Sequence, residues 1–285
     1  MKMNRLKNIL LFLFCTLFLN LSAQQDTIFL SSKPTNVATL FGIGSSNLYD
    51  TYLSPLEYKG RSFRLINERM RQTSWFDRKF NKQQTIGLEF AMGDNPAKNA
   101  SEYWFLLDYT LGGHYSLLNS NNFKVGAGGL WNTSAGVLYN QRNSNNPASV
   151  RAYSNILLSA IAMYNWKKLT FRWQLDTPVA GILFSPAYGQ SYYEISLGNS
   201  IKLANFASLH NQRALRNYLT VDIPINKYSV RLGYLGSYYQ TKVNSLQAHA
   251  YSHSFMIGLV SESINLSGHK IKESKVKSRF YSDSY

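Results

Sequence analysis

The sequence predicts an all-β fold: an antiparallel transmembrane β-barrel of ten strands with a long folded external loop. Three observations lead to this prediction. Many segments of about ten residues alternate apolar and polar side chains, the chain carries 20 Tyr, 16 Phe and 5 Trp, and its only cysteine is Cys15. A barrel that shows lipid an apolar face and keeps a polar interior produces this alternation. By closing on itself, the barrel also pairs its backbone donors and acceptors within the membrane.

The first 23 residues have the layout of a secretory signal peptide. A basic head precedes an apolar run over residues 9–19, and Ser22 and Ala23 precede the polar Gln24. The apolar run is too short to span a bilayer, which disfavours the alternative of a retained anchor helix. We therefore expect export and a mature chain that begins at Gln24 and contains no cysteine, so that no disulfide is available.

The net charge of the chain limits which partners are expected. The whole chain has a formal charge of +15, and cleavage after residue 23 would leave +12. The basic residues are scattered and export separates the chain from nucleic acid, so no nucleic-acid partner is predicted. A basic lumen would favour anions, and a basic outer rim would bind lipopolysaccharide phosphates. The expected partners are outer-membrane lipid and lipopolysaccharide, the barrel-assembly machinery, and a small solute or ion; no cofactor is predicted.

Ten segments are predicted to be strands because each is long enough to cross a bilayer at a tilt. Alternation is clear in 82–92, 102–117 and 215–225, and less clear in 58–70 and 249–264. The ten predicted strands are 36–45, 58–70, 82–92, 102–117, 123–138, 150–166, 168–176, 215–225, 228–240 and 249–264. The domain organisation that follows is a signal peptide over 1–23, a periplasmic lead over 24–35, the barrel over 36–266 and a basic periplasmic tail over 267–285.

The connections between strands predict the orientation. Short connections in such barrels face the periplasm and long ones face outside. The short connections are 119–122, 167–168 and 225–227, and the long ones rich in turn formers are 45–59, 93–101 and 140–149. With 168–176 running outward and 215–225 running back, residues 177–214 become one external loop. If 179–184 and 192–198 also crossed the membrane, the count would be twelve strands.

The predicted external loop is rich in apolar and aromatic residues, which is unusual for an unstructured connection of this length. We expect it to fold, in part into short helices, and to pack over the barrel mouth, where function is often located. Its candidate contact residues are Tyr188, Gln190, Tyr192, Tyr193, Glu194, His210, Gln212 and Arg213.

The polar faces of the best-alternating strands carry charges of both signs. An arginine that faced lipid near the midplane would cost about 2–4 kcal/mol, so these faces are assigned to the interior. A barrel of about ten strands has a lumen only slightly wider than side chains can fill. Acids are therefore expected to pair with arginines across it. The predicted lumen network is Glu89, Asp108, Arg172, Asp176, Asp222 and Arg231, with Glu194 added if it reaches inward.

Signals for catalysis and metal binding are weak. His249 and His253 share a strand face but stand about 13 Å apart at strand rise, which is too far for one metal ion. His114 and Ser116 share a face with Asp108 further along it, as in outer-membrane esterases and phospholipases that use Ser and His on a barrel wall. No third partner is in place for a triad, so no catalytic residue and no metal ligand is predicted.

Four stretches together resemble a known family. They are "LSPLEYKG" at 53–60, "RLINERM" at 64–70, "FSPAYGQSYYEI" at 184–195 and "SLHNQRALRNYLTVDIP" at 208–224. They resemble an uncharacterised family of bacterial outer-membrane proteins, described only as a domain of unknown function. The resemblance covers nearly all of the mature chain and implies the barrel fold and the outer-membrane location of a Gram-negative cell. It carries no substrate and no catalytic residue.

The sequence therefore favours a narrow channel, a solute-uptake barrel or a binding barrel with a salt-bridged lumen. Two other hypotheses stay open: a lipid-modifying or hydrolytic enzyme on the barrel wall, and a structural barrel without a pore.

Overall fold

The computed structural model describes residues 35–73, 75–77, 79–198, 203–225 and 228–263. The predicted signal peptide, the lead up to residue 34 and the tail over 267–285 lie outside these residues. The described part of the chain forms eleven strands and one short helix: β1 Thr35–Asp50, β2 Ser54–Gln72, β3 Phe80–Asp94, β4 Ser101–Asn119, β5 Phe123–Asn140, β6 Ala148–Trp166, β7 Leu169–Phe184, α1 Tyr192–Ser196, β8 Ala204–Ser208, β9 Gln212–Ile225, β10 Tyr228–Val243 and β11 Leu246–Ser263. No helix in these ranges is long and apolar enough to cross a membrane.

The strands form a closed antiparallel barrel. Each of β1 to β7 pairs with the next, β1 also pairs with β11, and β11, β10 and β9 follow in order. The ring closes where β9 pairs with the lower part of β7. Strand β8 pairs only with the upper part of β7, so within the described residues ten strands make the barrel wall. The prediction of ten strands is confirmed, and the alternative of twelve is not formed.

The two faces of the wall are inverted relative to a soluble protein. On β3, Gly87, Glu89 and Ala91 point inward and are buried, whereas Leu88 and Phe90 point outward and are exposed. A polar interior within an apolar outer belt is the arrangement that a bilayer selects. The exposed apolar side chains of this belt include Phe41, Ile43, Phe63, Leu65, Leu107, Trp131, Ile156, Leu158, Trp173, Leu219, Leu232, Phe255 and Ile257.

One predicted long connection proves to be a tight turn. The segment 45–59 was predicted to be a loop, but β1 continues to Asp50 and β2 begins at Ser54. The β1–β2 hairpin extends past the apolar belt. Its sequence there is polar, like that of a loop, although its backbone remains hydrogen-bonded as a β-ladder. The β10–β11 hairpin also turns tightly through Asn244 and Ser245, whose φ angles of 52° and 61° are those of a two-residue hairpin turn.

The break in alternation at Thr177 and Pro178 is a β-bulge and not the end of a strand. Pro178 pairs with Leu157 and Ala180 pairs with Ile156, so Val179 has no opposite residue. This one-residue insertion changes the parity of the residues that face the lumen. A sequence pattern with period two therefore stops there although β7 continues to Phe184.

The predicted boundaries of the external loop, 177–214, are consequently wrong at both ends. Residues 177–184 belong to β7, residues 204–208 form β8, and β9 begins at Gln212. The ladder between β7 and β9 ends at Asp176 opposite Arg216. It resumes with β8 at Ala180 opposite Ser208. Pro178 lies in the interruption, and a proline has no N–H to donate to a ladder.

Candidate functional site

The barrel interior carries ion pairs at three heights, which we call the lower, middle and upper levels, counted from the end where β7 begins. The lower level contains Glu68, Arg172, Asp222 and Arg231. The middle level contains Arg64, Glu89, Asp108, Asp176 and Arg216. The upper level contains Asp50, Glu102 and Arg151.

The lower level is a chain of four charges that crosses the lumen. Arg172 Nη2 donates to both carboxylate oxygens of Glu68 at 2.9 and 2.8 Å, and Arg231 Nη1 donates to Glu68 at 2.6 Å. Arg231 also donates to both oxygens of Asp222, at 2.6 and 2.7 Å. Glu68 and Arg231 are each 1% exposed. The four side chains come from β2, β7, β9 and β10, so they fill the cross-section of the barrel.

Neutral polar groups extend this network upward. Gln83 donates to Glu68 at 2.8 Å, and Gln174 donates to Gln83 at 3.1 Å and to Asp176 at 2.9 Å. The Ser159 hydroxyl donates to Asp176 at 2.5 Å. The buried side chains therefore form a continuous hydrogen-bonded path between the lower and middle levels.

The contact between His114 and Ser159 differs from a nucleophile–base pair. His114 Nε2 lies 2.6 Å from Ser159 Oγ. Because the serine hydrogen is directed at Asp176, the histidine is the donor and Ser159 Oγ the acceptor. A general base has to accept the serine proton, so this arrangement does not activate Ser159. The serine that the sequence places beside His114, Ser116, lines a cavity at the end of the barrel where β7 begins.

The middle level contains two ion pairs around a central cavity. Arg64 pairs with Glu89 at 2.6 Å, and Arg216 pairs with Asp108 at 3.2 Å. Asp108 also accepts hydrogen bonds from neutral donors on β5. The cavity has a volume of about 70 Å³, and these four side chains and Asp176 are among those that line it.

The upper level lies near the end of the barrel opposite to the one where β7 begins. Arg151 forms an ion pair with Asp50. Glu102 is fully buried and accepts a hydrogen bond from Asn140 Nδ2 at 2.9 Å. The same amide nitrogen lies 3.0 Å from the Tyr58 hydroxyl.

Residues 185–198, which we call the cap, connect β7 to the segment before β8 and include α1. The Tyr52 hydroxyl donates to Gln190 O at 2.9 Å, and the Val150 N–H donates to the Tyr192 hydroxyl at 2.6 Å. Asn244 donates to Ser185 O at 3.0 Å. Burial raises the pKa of Tyr52 to about 12, so its hydroxyl keeps the proton that it donates at neutral pH. These bonds join the cap to the β1–β2 turn, the first residues of β6 and the β10–β11 turn.

The structure places the sequence-predicted residues as follows. All six residues of the predicted lumen network lie on inward faces: Arg172, Asp222 and Arg231 at the lower level, and Glu89, Asp108 and Asp176 at the middle level. Glu194 does not reach inward, because it accepts a hydrogen bond from the Ser191 N–H at the start of α1. Of the loop candidates, Tyr188, Gln190, Tyr192, Tyr193 and Glu194 are in the cap, His210 is in the turn before β9, and Gln212 and Arg213 belong to β9.

Sequence reasoning missed half of the charged lumen. Glu68, the central acceptor of the lower level, lies in the predicted strand 58–70, where alternation is unclear. The cause is that exposed Arg61 and Arg69 stand on the outward face near its ends, while buried Arg64 and Glu68 stand on the inward face. The other missed residues are Arg64, Asp50, Glu102, Arg151 and Arg216. The apolar outward pair at positions 63 and 65 is the signal that could have identified the inward face.

The two histidines that the sequence places on one strand have aromatic neighbours. His249 stacks with Tyr49 and Tyr251, and His253 contacts Tyr234. Within the part of the chain that the structure describes, no group of three or more His, Cys, Asp and Glu side chains has an arrangement that could hold a metal ion.

Comparisons with known proteins place these observations in a family. Residues 9–270 match the sequence profile of the family described as "Protein of unknown function (DUF3316)". No curated protein matches the sequence.

Several solved structures are similar at low sequence identity. The translocator domain of the autotransporter NalP from Neisseria meningitidis has a TM-score of 0.39 and 11% identity, covering 84% of this chain and 90% of that chain. An outer membrane channel from Pseudomonas putida F1 has a TM-score of 0.40 and 9% identity, covering 85% and 99%. The transport unit of the autotransporter AIDA-I from Escherichia coli has a TM-score of 0.35 and 12% identity, covering 86% and 96%.

Proposed function

The chain belongs to the DUF3316 family of proteins of unknown function, and we propose that it is a narrow outer-membrane channel for small solutes or ions, held closed by the ion pairs of its lumen. The apolar outer belt and the closed ladder support the membrane location. Export by the predicted signal peptide, contact with lipopolysaccharide and insertion by the barrel-assembly machinery are parts of the same proposal.

The observation that carries the proposal is the position of the lower level between two cavities. On its periplasmic side, Asp222 lines a cavity of about 500 Å³. On its other side lies the central cavity of about 70 Å³. The four charged side chains of the lower level form the barrier between these two cavities. A path across the membrane would need this barrier, the buried side chains above it such as Gln174 and Leu235, the upper level and the cap to rearrange.

The chemistry of the lower level also favours a movable gate over a static plug of the lumen. A buried ion network is often no more stable than well-packed apolar residues of similar volume. A barrel that only needed a solid core could therefore use apolar side chains. Charged side chains differ because, once their mutual contacts break, they become a wettable wall for polar solutes. The lower level is thus suited to alternate between a closed and a hydrated state.

The test is the conductance of purified protein in planar bilayers. Glu68→Gln removes the carboxylate that bridges Arg172 and Arg231, so the lower level keeps two arginines but only one carboxylate, Asp222. We expect low conductance for the wild type and a higher open probability for this variant. Arg69→Gln is the matched control, because Arg69 is the next residue of β2 and points outward. If Glu68→Gln folds and conducts no more than Arg69→Gln, the lower level is not a gate.

A further inference from the structure

The outer surface of the barrel carries two neighbouring basic residues, Arg213 of β9 and Lys242 of β10, which we call the basic pair. Both side chains point outward and are exposed, at the end of the barrel where the cap lies. Arg213 lies opposite Gln240, which precedes Lys242 by two residues on the same face. Such diagonal neighbours are about 7–8 Å apart, within reach of two long side chains. The basic pair can therefore contact one small ligand together.

The basic pair is not neutralised by acidic side chains. Within the ranges that the structure describes, no Asp or Glu oxygen lies within 4.0 Å of either charged group. Lys59, an exposed lysine at the same end of the barrel, differs because it pairs with Glu57 at 3.1 Å. The basic pair thus presents two positive charges to an external ligand.

The basic pair lines a cavity of about 290 Å³ on the outer surface of the barrel. The other lining residues are His210, Asn211, Gln240, Thr241 and Gln247, so every side chain of this set can donate a hydrogen bond and none is acidic. The volume is close to the lower end of the range for small-ligand sites, about 300–1,000 Å³. A cavity with many donors and no carboxylate is suited to an anion.

Hydrogen bonds fix two of the lining residues in place. Gln240 Oε1 accepts from the Tyr251 hydroxyl at 3.0 Å, so the group that Gln240 can offer to a ligand is its amide N–H. Asn211 Oδ1 accepts from the Ser208 N–H at 2.9 Å, which holds the turn that presents His210. Donors that are already positioned lose less conformational freedom when a ligand binds.

The cavity lies just beyond the aromatic border of the apolar belt. On β10, Tyr238 is the next outward residue from Gln240 toward the belt, and its ring centroid is 5.9 Å from that of Tyr251. On β9, the next outward residue from Arg213 toward the belt is Leu215, which is 43% exposed. Tyrosines of such barrels concentrate at the interface between hydrocarbon and water. The basic pair is therefore at the height of the lipid head groups.

We propose that this cavity binds the phosphorylated sugar head group of lipopolysaccharide, with the basic pair on a phosphate and the amides on sugar hydroxyls. The proposal rests on the proposed function for the membrane location and for the cap facing outside, but not on conduction. An arginine contacts a phosphate through two parallel N–H groups, and a lysine adds a point charge. The amides beside them favour a phosphorylated sugar over a bare phosphate, because sugar hydroxyls give these amides partners.

The test is the dissociation constant of fluorescently labelled lipopolysaccharide for the purified protein in detergent. Arg213→Gln/Lys242→Gln should raise this constant about 25-fold, since each basic side chain near an anionic membrane surface strengthens binding about 5-fold. Lys59→Gln is the matched control. It removes the same charge at the same end, but from a lysine already paired with Glu57, and should leave the constant unchanged. Dephosphorylated lipopolysaccharide should bind the wild type and the double variant alike.

Two results would overturn the proposal. In the first, the double variant binds lipopolysaccharide as tightly as the wild type, so that the basic pair contacts no phosphate. In the second, phosphatidylglycerol or inorganic phosphate displaces the labelled lipid from the wild type at the same phosphate concentration as unlabelled lipopolysaccharide. The site would then accept any lipid phosphate or free phosphate.

Two separate measurements distinguish this inference from the proposed function. Labelling of Lys59→Cys on intact cells with a membrane-impermeant maleimide tests whether the cap end faces outside. No labelling would overturn the lipopolysaccharide site, because this lipid occupies the outer leaflet. If Glu68→Gln does not conduct, the channel proposal fails, whereas the binding measurement still decides whether the lipid site exists.

Discussion

Replacing Arg172 by alanine removes one of the two arginines that hold Glu68 at the lower level. The wild-type side chain donates to both oxygens of Glu68 and lies 4.7 Å over the Tyr218 ring. After the change, Glu68 and Asp222 share Arg231 alone. The lower level then carries one uncompensated negative charge on side chains that are almost fully buried.

The expected loss of stability follows from these contacts. Removing one partner of a buried ion pair typically costs about 3–5 kcal/mol. Glu68 keeps its bonds to Arg231 and Gln83, so we expect the lower end of this range, about 3 kcal/mol. For a chain of this size, about 1 kcal/mol lowers the unfolding temperature by about 2–4 °C, which gives a decrease of about 6–12 °C.

The assay is the temperature at which the folded band is lost on a gel, together with single-channel conductance. We expect Arg172→Ala to unfold at lower temperature and to leak cations. Arg69→Ala, on the outward face of β2, is the control and should change neither quantity. Removing both charges in Arg172→Met/Glu68→Gln leaves Arg231 with Asp222 and should recover part of the stability, because the level is neutral again.

Two results would refute this reasoning. If Arg172→Ala changes neither heat resistance nor conductance, the charges are only hydrated lining and the lumen is not plugged by ion pairs. If the loss in Arg172→Met/Glu68→Gln equals the sum of the losses in Arg172→Met and in Glu68→Gln, Arg172 and Glu68 are not coupled.

Two further predictions concern the cap and the outer belt. Tyr52→Phe deletes the hydroxyl that donates to Gln190, so protease added to intact cells should cleave within residues 185–198 faster than in the wild type. Tyr188→Phe, whose ring is exposed, should be cleaved at the wild-type rate. Equal cleavage rates for the two variants would contradict a cap that is held by the Tyr52 hydrogen bond. Leu158→Arg places a charge in the apolar belt at a position that is 57% exposed and should cost about 2–4 kcal/mol, seen as less folded protein on unheated gels. Val150→Arg, at the end of β6 nearest the cap, should cost about 1 kcal/mol or less. Equal folded yields of these two variants would argue against a lipid belt at the height of Leu158.

Several features of this barrel follow from local pattern alone. Side chains of a strand alternate with a period of two, so Ile86 and Leu88 on one face place Glu89 on the other whatever the rest of the fold. Short connections at one end, counted along the chain, were enough to predict ten strands and their closure. The inward assignment of Arg172 and Asp222 required only the high cost of an arginine in lipid. These inferences need no knowledge of which strands are neighbours across the lumen.

Other features depend on the closed ring. Glu68 and Arg172 are 104 residues apart in the chain, and Arg231 is 163 residues from Glu68. They meet because closure of the barrel brings β2, β7 and β10 around one lumen. The stagger between strands then determines which residues lie at the same height along the barrel axis. A period-two pattern carries no information about stagger. It also loses its meaning at a bulge, where Val179 changes parity and made residues 177–184 resemble a loop.

The surroundings of Asp176 illustrate the same division. The alternation of β7 places Asp176 in the interior, and this much is local. Whether it has an ionic partner depends on where Arg216 of β9 and Arg64 of β2 direct their guanidinium groups. Glu89 occupies Arg64 from the opposite position of the local β2–β3 hairpin, whereas Asp108 of β4 reaches Arg216 of β9 only across the closed barrel. Whether a buried charge is compensated depends on all the side chains around it in the lumen. Only the tertiary structure defines which side chains these are.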